Sequence, residues 1–456
     1  MNRRNFIQSV AYSTLITGLG SSIPIIGRSA NTSLMPFMEK SNRFGDGRDW
    51  FFEKRYGMFV HWGLYSILGW HEQHQMRARM PRAEYEKLAQ RWNPVKFDPE
   101  RWLDLMEEAG MEYITVTMKH HDGFCLWDTK QTQFNTMNTP YRKDVLGMLS
   151  DACHKRNMPL CLYYSIADWN HPNYPNLGRH HELPVQSQDS PDWQKYMEFL
   201  KAQVKELCTN YGEIHGFWWD MNVPEYEDKS INNMIRKLQP KAVINNRGFD
   251  EGDYGTPERD FNEKDYISSD SQPVEACQSV GIESWGYRTN EDYYTEQHLI
   301  SSIDRYLARD ANYLLNVGPD SLGVIPEQSA SILRGIGHWY HSVKESFEDV
   351  EFVSHLTTNK NVMLTKNKNI LYVHLYKVPQ GNVVKLKPFT IAPLSAVILN
   401  DGKKVEFEVE FAPQDHNEQK SYLRLINLPV ETYCNSVLVL KLEFDQSLED
   451  YIATIV

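Results

Sequence analysis

A carboxylate follows a short aromatic run near the middle of the chain, where Phe217, Trp218 and Trp219 precede Asp220. The run predicts a buried strand that carries Asp220 at its C-terminal end. In a β/α barrel, that end of a strand is where reactive residues lie. Carboxylates at strand ends also hold loops in place, so this stretch alone is compatible with a catalytic role and with a structural one.

Two earlier segments repeat the pattern of a strand-like run that ends in polar and aromatic residues. The first ends at His61 and Trp62, and the second ends at His120, His121 and Asp122. Because the C-terminal ends of barrel strands share one face, we expect the three strand ends to converge on one pocket.

Three kinds of chemistry are compatible with histidines and carboxylates in one pocket. A metal site is disfavoured, because no HxH or HxxxH pair occurs and neighbours on a strand, such as His120 and His121, point to opposite sides. A serine nucleophile is disfavoured because the GxSxG elbow is missing. A pair of carboxyl groups remains. Hydrolysis of a glycosidic bond needs one to attack or activate water and a second group to protonate the leaving oxygen. No metal and no cofactor are therefore predicted.

The composition narrows the class of partner. The chain has 456 residues and a net charge of −12, which argues against nucleic acid or an anionic membrane surface. Aromatic residues make up 12% of the chain. Such rings suit a carbohydrate-binding cleft, because sugar C–H faces pack on flat apolar surfaces, and they suit a large core equally well. The six cysteines include no CxxC pair, so neither a zinc ribbon nor a redox motif is indicated.

Helix-like and strand-like segments alternate between about residues 50 and 345. Residues 99–110 carry apolar side chains at spacings of three and four, and the β-rich residues 113–118 follow at once. This alternation predicts parallel strands joined by crossover helices. No GxGxxG or P-loop follows a strand, so a nucleotide-binding fold has no support. The pattern fails between Gly248 and Asp292, where we expect long loops.

The two ends of the chain differ from this middle part. Beyond about residue 350 the apolar residues alternate with period two, which predicts a small antiparallel β-sandwich. Residues 1–30 have twin arginines, Arg3 and Arg4, an apolar stretch and small residues beyond it, which is typical of an export signal. The predicted divisions are a signal peptide (1–30), a barrel (31–347) and a sandwich (348–456). We expect a periplasmic or extracellular protein without a membrane anchor, exported by the twin-arginine or the Sec route.

The order of motifs along the chain resembles glycoside hydrolase family 29, the α-L-fucosidases, from about residue 50 to 337. The motifs are His61-Trp62-Gly63, Lys119-His120-His121-Asp122-Gly123-Phe124, Tyr163-Tyr164-Ser165, Phe217-Trp218-Trp219-Asp220, Asn246-Arg247, Thr256-Pro257-Glu258, Pro273-Val274-Glu275, Ser284-Trp285-Gly286 and Asn312-Tyr313-Leu314-Leu315-Asn316-Val317-Gly318. The resemblance implies an α/β fold with a (β/α)8-like TIM barrel, either complete or degenerate, and a C-terminal antiparallel β-sandwich. It also implies a retaining exo-α-L-fucosidase that removes terminal fucosyl residues from oligosaccharides or glycoconjugates through a covalent glycosyl-enzyme.

The resemblance also implies roles for individual residues. Asp220 matches the nucleophile of the family, and Glu258 is the first choice for the acid/base, with Glu275 as the alternative. The predicted substrate-binding residues are His61, Trp62, Glu72, His120, His121, Tyr164, Trp218, Arg247 and Trp285.

Several positions depart from the pattern of the family. If Glu72 aligns with the family glutamate that binds a sugar hydroxyl, Gln73 replaces a wall tryptophan. Met221 follows Asp220 where glycine is usual, and Val274 stands where tryptophan is common. These changes lie around the expected pocket, so they leave open a hydrolase for a fucose-like L-sugar such as an L-galactoside or a methylated fucoside. A catalytically silent carbohydrate-binding barrel is the remaining alternative, and the presence of Asp220 with two candidate acids argues against it.

Overall fold

The computed structural model describes residues 43–179, 181–221, 228–259, 272–449 and 451. The predicted export signal lies outside these described residues. None of the helices within them is both long and apolar enough to cross a membrane.

Seven parallel strands build the sheet that carries the site. They are β1 (Tyr56–Val60), β2 (Tyr113–Lys119), β3 (Leu160–Ser165), β4 (Gly216–Asp220), β5 (Val243–Ile244), β6 (Glu275–Ser279) and β7 (Asn312–Val317). Their spatial order is β5-β4-β3-β2-β1-β7-β6. Every residue of the seven strands is buried except Asp220, which is half-buried. Burial on both faces is expected for a parallel sheet covered by helices.

An extended segment, residues 254–258, lies between the two edge strands of this sheet. Parallel bridges join it to Asn245 beside β5, and to Val274 and Cys277 at β6. The sheet therefore curls into a degenerate β/α barrel, which confirms the predicted fold class. The irregular segment takes the place between its edges where a regular barrel has a strand.

Nine α-helices accompany the strands within the described residues. They are α1 (Trp50–Glu53), α2 (His74–Arg77), α3 (Arg82–Tyr85), α4 (Pro99–Glu108), α5 (Val145–Lys155), α6 (Trp193–Asn210), α7 (Lys229–Leu238), α8 (Glu296–Leu307) and α9 (Glu327–Val343). The crossover helices α4 to α7 all begin with an aspartate cap: Asp98, Asp144, Asp192 and Asp228 accept backbone N–H groups of the first turn. The caps satisfy donors that a helix start leaves without partners.

The expectation of long loops between Gly248 and Asp292 is wrong for part of that stretch. Strand β6 lies within it and pairs in parallel with β7 over five residues. Its sequence, Glu-Ala-Cys-Gln-Ser, consists of small and polar residues, so it lacks the apolar run by which buried strands are recognised. Its burial inside the barrel wall, rather than its own composition, makes it a strand.

The C-terminal part contains two antiparallel sheets. The strands are β8 (Glu351–Phe352), β9 (Met363–Asn367), β10 (Ile370–Leu375), β11 (Val384–Leu386), β12 (Ser395–Ile398), β13 (Glu406–Glu410), β14 (Tyr422–Ile426) and β15 (Leu438–Glu443). A five-stranded sheet has the order β12-β15-β10-β9-β8, and a three-stranded sheet has the order β11-β14-β13. Buried residues of both sheets, such as Leu371 and Leu440 on one and Leu386 and Leu423 on the other, share one apolar core. The domain limits at residues 30 and 347 stay predictions.

Candidate active site

Asp220 is the last residue of β4, at the C-terminal end of the barrel strands. The Tyr163 hydroxyl donates a 2.7 Å hydrogen bond to its Oδ2, and the backbone N–H of Met221 donates a 2.9 Å bond to its Oδ1. Arg247 Nη1 lies 3.3 Å from Oδ1, and His121 Nε2 lies 3.9 Å from Oδ2. The carboxylate is thus held on several sides, while 17% of its side chain stays exposed to the pocket.

Opposing effects act on the pKa of Asp220. Burial alone would raise the pKa, because a carboxylate loses its hydration. The positive charge of Arg247 and the hydrogen bonds from Tyr163 and the Met221 N–H outweigh burial and hold the pKa below its usual value. Asp220 is therefore an anion at neutral pH, which is the form that attacks a carbon atom.

The residue after Asp220 adopts an unusual backbone conformation. Met221 has φ of 61°, in the left-handed region that glycine adopts without a clash of Cβ. This conformation accompanies the hydrogen bond from the Met221 N–H to Asp220 Oδ1. Glycine, which is usual at this position in the family that the sequence resembles, would adopt the same conformation at a lower cost in free energy.

Arg247, which follows β5, joins two carboxyl groups. Its Nε and Nη2 donate to Oγ1 and the carbonyl oxygen of Thr256, at 2.5 and 2.7 Å, which fixes the guanidinium in place. Its Nη1 contacts both Asp220 Oδ1 and Glu258 Oε1. Because both oxygens touch one nitrogen, they lie at most about 6 Å apart. This limit admits the roughly 5–5.5 Å of retaining glycosidases and lies below the 6.5–9.5 Å of inverting ones.

Glu258 lies on the extended segment between β5 and β6, with 39% of its side chain exposed. Glu275, the alternative acid, lies elsewhere. It is the first residue of β6, at the N-terminal end of the parallel strands, and is 2% exposed. The Tyr113 hydroxyl donates to its Oε2 at 2.8 Å, and the Trp218 indole N–H donates to its Oε1 at 3.1 Å. The structure therefore brings Glu258, and not Glu275, to the carboxylate of Asp220.

Two histidines of the pocket present a hydrogen-bond acceptor. Asn316 uses its Nδ2 to donate to the Trp285 carbonyl, so its Oδ1 accepts from Nδ1 of His61 at 2.7 Å. Ser165 donates to the Ala167 carbonyl, so its Oγ accepts from Nδ1 of His121 at 2.7 Å. Each neutral ring then keeps an unprotonated Nε2, which can accept from a sugar hydroxyl.

Burial keeps these histidines neutral. It lowers the pKa of His61 and of His121 to about 4, because the interior disfavours the imidazolium. His120 lies between them, with ring centroids 5.7 Å from His61 and 3.9 Å from His121, and burial lowers its pKa well below the usual value. The buried Nδ1 of His120 has no hydrogen-bond partner among the described residues. The three rings form a polar, uncharged wall.

Aromatic rings form the base of the pocket. Trp218 stacks on Tyr163 with centroids 5.5 Å apart, and the Arg247 guanidinium lies 4.7 Å over the Trp218 ring. Trp285 lies on another side, 5.3 Å from His61. Flat rings of this kind suit the apolar face of a sugar.

Glu72 supports the pocket from behind. Its Oε2 accepts from the Ser284 hydroxyl at 2.8 Å and from the backbone N–H groups of Trp285 and Gly286 at 3.0 and 3.3 Å. Its Oε1 lies 3.3 Å from Nδ1 of His71. Glu72 therefore positions the loop that carries Trp285, and its predicted contact with substrate stays a prediction.

Two predicted substrate-binding residues face away from the pocket. Tyr164 points outward to α6, where its hydroxyl donates to Gln203 at 2.6 Å. Side chains alternate along β3, so its neighbour Tyr163 is the one that reaches Asp220. Trp62 packs among the aromatic rings of the outer core, 4.8 Å from Trp92, and its indole donates to the Asp320 carbonyl. The sequence motifs contain these residues, but the strand alternation decides which ones face inward.

The expectation that His120 and His121 point to opposite sides is also wrong. Strand β2 ends at Lys119, so the alternation of a strand no longer applies to the two histidines. Both rings reach the same pocket. The described part of the chain nevertheless has no group of three or more His, Cys, Asp or Glu side chains arranged to hold a metal ion.

Sequence reasoning missed two residues of the site, Tyr163 and Asn316. Tyr163 lies in the same motif as Tyr164. Residues two apart on a strand face the same side, so Tyr163 shares a side with Ser165, which lies opposite Asp220 in the sheet. This alternation is the signal that could have identified Tyr163. Asn316 lies in the motif Asn312-Tyr313-Leu314-Leu315-Asn316-Val317-Gly318. Its role depends on a partner 255 residues away in the chain, His61, so no local signal reveals it.

Comparisons with known proteins agree with this geometry. The family model Alpha-L-fucosidase matches residues 29–345. Tissue alpha-L-fucosidase of Rattus norvegicus is 29% identical over 372 residues, 74% of this chain and 78% of the relative. Alpha-L-fucosidase isoenzyme 1 from Paenibacillus thiaminolyticus has a TM-score of 0.77 at 30% identity, covering 88% of this chain and 100% of that one.

A further solved structure bears on the mechanism. A family 29 α-L-fucosidase from Bacteroides thetaiotaomicron was trapped as a covalent intermediate with 2-fluoro-fucosyl fluoride. Its TM-score is 0.75 at 26% identity, and the match covers 89% of this chain and 97% of that chain.

A degenerate β/α barrel with an ionised carboxylate at a strand end and a second carboxyl group within about 6 Å defines a glycoside hydrolase of the retaining type. The family match covers more than half of the chain. The chain belongs to the α-L-fucosidase family, glycoside hydrolase family 29.

Proposed function

We propose that this protein removes terminal α-L-fucosyl residues from oligosaccharides or glycoconjugates, with Asp220 as nucleophile and Glu258 as acid/base. The observation that carries the assignment is the contact of Arg247 Nη1 with both carboxyl groups. The trapped intermediate of the Bacteroides relative supports a two-step mechanism.

In the first step, an Asp220 oxygen forms a bond to the anomeric carbon while the bond to the leaving oxygen breaks. Glu258 gives its proton to that oxygen, so the aglycone leaves as an alcohol. In the second step, Glu258 takes a proton from water, and the water oxygen displaces Asp220 from the anomeric carbon. Two inversions give net retention.

The surroundings of the two carboxyl groups fit these roles. Asp220 is held as an anion by the positive charge of Arg247 and by the hydrogen bonds from Tyr163 and the Met221 N–H. Glu258 is more exposed and lies on an irregular segment, where it can follow the leaving group. Because it contacts Arg247 in the free protein, Glu258 has to leave the guanidinium before it protonates the substrate.

Glu275 is then a positioning residue. Its carboxyl group accepts the Trp218 indole N–H from below, and the face of the same ring lies under Arg247. It acts on the site through Trp218, without reaching the pocket.

The test is hydrolysis of an aryl α-L-fucoside and of a fucosyl disaccharide by the unmutated protein and three variants. Asp220→Asn should lose roughly 10⁴-fold or more in kcat on both substrates. Glu258→Gln should lose less than about 10-fold on the aryl fucoside and roughly 10²–10³-fold on the disaccharide, because an activated leaving group needs little acid help. Glu275→Gln should lower kcat by a similar factor on the aryl fucoside and on the disaccharide.

Product analysis separates the roles further. Azide should restore turnover in Glu258→Gln with retained configuration, because the fucosyl-enzyme still forms and azide needs no base. If Glu275→Gln, rather than Glu258→Gln, shows the dependence on the leaving group, the acid/base assignment is wrong. Binding of fucose without turnover by the unmutated protein would favour the silent carbohydrate-binding barrel.

A second candidate substrate is a fucose-like L-sugar with an extra polar group, such as an α-L-galactoside. The observation that favours it is Gln73, a buried amide whose Nε2 lies 3.1 Å from Nδ1 of His181. If Glu72 aligns with the glutamate of the family, this amide replaces a wall tryptophan. Relative kcat/KM values for aryl α-L-fucoside and aryl α-L-galactoside decide the question. A preference for fucoside by more than about 100-fold removes this candidate.

We also propose export to the periplasm or the extracellular space, on the basis of residues 1–30. Cell fractionation of a bacterium that expresses the full chain tests it. Retention of the Arg3→Lys, Arg4→Lys double variant in the cytoplasm would indicate the twin-arginine route, whereas unchanged export of this variant would indicate the Sec route. An unmutated chain found only in the cytoplasm would contradict export.

A further inference from the structure

A cavity of about 620 Å³ lies between α8 and the C-terminal sheets. Gln297, Ser301 and Arg305 of α8 form one wall, and residues 375–379 and 430–438 form the other. The Ser301 hydroxyl donates to the Tyr376 carbonyl at 2.5 Å, which ties the two walls together. The volume is that of an ordinary small-molecule site.

The charged side chains of the cavity are mostly positive. Arg259, Arg305 and Lys377 line it, against the single carboxylate Glu431. None of the three cations forms an ion pair with a carboxylate within the part of the chain that the structure describes. In a chain whose net charge is −12, such a local excess of positive charge favours an anionic ligand.

Arg305 carries the most specific signal. Its Nε is buried, and no acceptor lies within hydrogen-bond distance among the described residues. Buried donors without partners are rare in native proteins, and a guanidinium binds planar or tetrahedral oxyanions through several N–H groups at once. Because Arg305 also lines the cavity, its guanidinium is the group that we expect to contact an oxyanion there.

Rings and hydroxyl groups complete the lining. Tyr294 stacks on His298 with centroids 4.7 Å apart, and Tyr376 and Tyr433 contribute further rings. The Ser436 and Gln297 side chains add neutral polar groups. Aromatic faces next to neutral hydrogen-bonding groups are the usual surroundings of a bound sugar.

The cavity adjoins the active site through Arg259. This residue lines the cavity, and its guanidinium lies 4.6 Å over the ring of Trp285, which borders the catalytic pocket. A ligand in the cavity thus lies on the side of the pocket where Glu258, the neighbour of Arg259 in sequence, is placed.

We propose that this cavity is a binding site for an acidic sugar, one that carries a sulfate or a carboxylate, with Arg305 as the main anion contact. The site recognises a charged unit of the glycans on which the enzyme works. The inference does not depend on the roles of Asp220 and Glu258.

The test measures binding of galactose 6-sulfate, glucuronic acid, galactose and inorganic sulfate to the full chain by calorimetry or NMR titration. Both acidic sugars should bind roughly 10-fold or more tightly than galactose and than inorganic sulfate. The variant Arg305→Gln should abolish this preference and leave kcat/KM for an aryl α-L-fucoside unchanged. Arg334→Gln, which removes an exposed arginine of α9, is the matched control and should leave binding unchanged.

Other results would overturn the proposal. Equal binding of galactose and galactose 6-sulfate would exclude an anion contact, and equal binding of inorganic sulfate and galactose 6-sulfate would exclude a sugar site. Binding that survives Arg305→Gln and competes with aryl fucoside hydrolysis would place the acidic sugar in the catalytic pocket.

One further result would support the proposal. Loss of hydrolysis by Asp220→Asn with unchanged binding of the acidic sugars would show the two sites to be separate.

Discussion

Two carboxyl groups at opposite ends of the barrel interior have opposite protonation behaviour. Asp220 lies at the C-terminal ends of the strands, and its pKa is lowered. Glu275 lies at the N-terminal ends, and burial raises its pKa to about 7. Both are largely removed from water, so burial does not explain the difference.

The difference comes from what surrounds each group. Asp220 has the positive charge of Arg247 beside it, whereas Glu275 has only neutral donors, such as the Tyr113 hydroxyl and the Trp218 indole. Neutral hydrogen bonds reduce the effect of burial on the Glu275 pKa without cancelling it. Trp218 separates the two ends, with Arg247 over its face and Glu275 on its edge.

Arg247→Gln should have the largest effect, because it removes the charge that distinguishes the two ends. We expect kcat/KM for an aryl fucoside to fall roughly 10²–10³-fold. The Asp220 pKa should rise without the neighbouring cation. Since only ionised Asp220 attacks, the acidic limb of the pH profile should then move to higher pH. An acidic limb that stays in place or moves to lower pH would contradict this account, and Arg334→Gln should show normal activity and an unchanged profile.

Glu275→Gln should change the pH dependence of stability. The pKa of Glu275 is raised from 4.5 unfolded to about 7 folded, so the folded state binds the proton more tightly. Stability of the unmutated protein should therefore fall relative to Glu275→Gln as pH rises from about 4.5 to 7, by about 3 kcal/mol. Urea unfolding at several pH values measures this.

Asp220→Asn gives the matched comparison at the other end of the barrel. The folded pKa of Asp220 is lowered, so its contribution to stability is present above its unfolded pKa of 3.8 and is lost as pH falls through the lower folded value. Between pH 4.5 and 7, the unfolding free energy of this variant should change with pH as it does in the unmutated protein. Equal slopes for both variants would show that the two carboxyl groups do not differ as described.

Tyr163→Phe and Tyr164→Phe should give the smallest effects and sharpen the comparison within one strand. Tyr163→Phe removes the donor to Asp220 and should lower kcat/KM roughly 10-fold, the effect of about 1.5 kcal/mol for a hydrogen bond to a charged group. Tyr164→Phe removes the bond to Gln203 and should cost about 1 kcal/mol of unfolding free energy with unchanged kinetics. Kinetic loss in Tyr164→Phe alone would reverse our assignment of the inward face.

The helices and most strands of the barrel could be predicted from the sequence because their signals are local. Residues 99–110 contain α4 with its apolar spacing, and Gly110 follows the helix with φ of 76°, a conformation suited to glycine. Strand β6 could not be predicted in this way, because Glu275–Ser279 carries no apolar run and becomes a strand only by pairing with β7.

The prediction of the site was more mixed. The resemblance led to Asp220, Glu258 and Arg247, and the structure brings these three together. It also led to Tyr164 and Trp62, which lie on the outer side of the sheet. A motif identifies a segment, whereas the direction of each side chain depends on strand alternation and on where the strand ends.

The sequence alone established the family, the alternation of helices and strands, and the aromatic strand that leads to Asp220. The separation of Glu258 from Glu275, the inward position of Tyr163 and the neutral tautomers of His61 and His121 became clear only in the folded chain. Each depends on contacts between residues far apart in sequence, such as His61 with Asn316 and Trp218 with Glu275. Electrostatic effects on a carboxyl group act through space, so the order of residues along the chain does not reveal which charges will be near it.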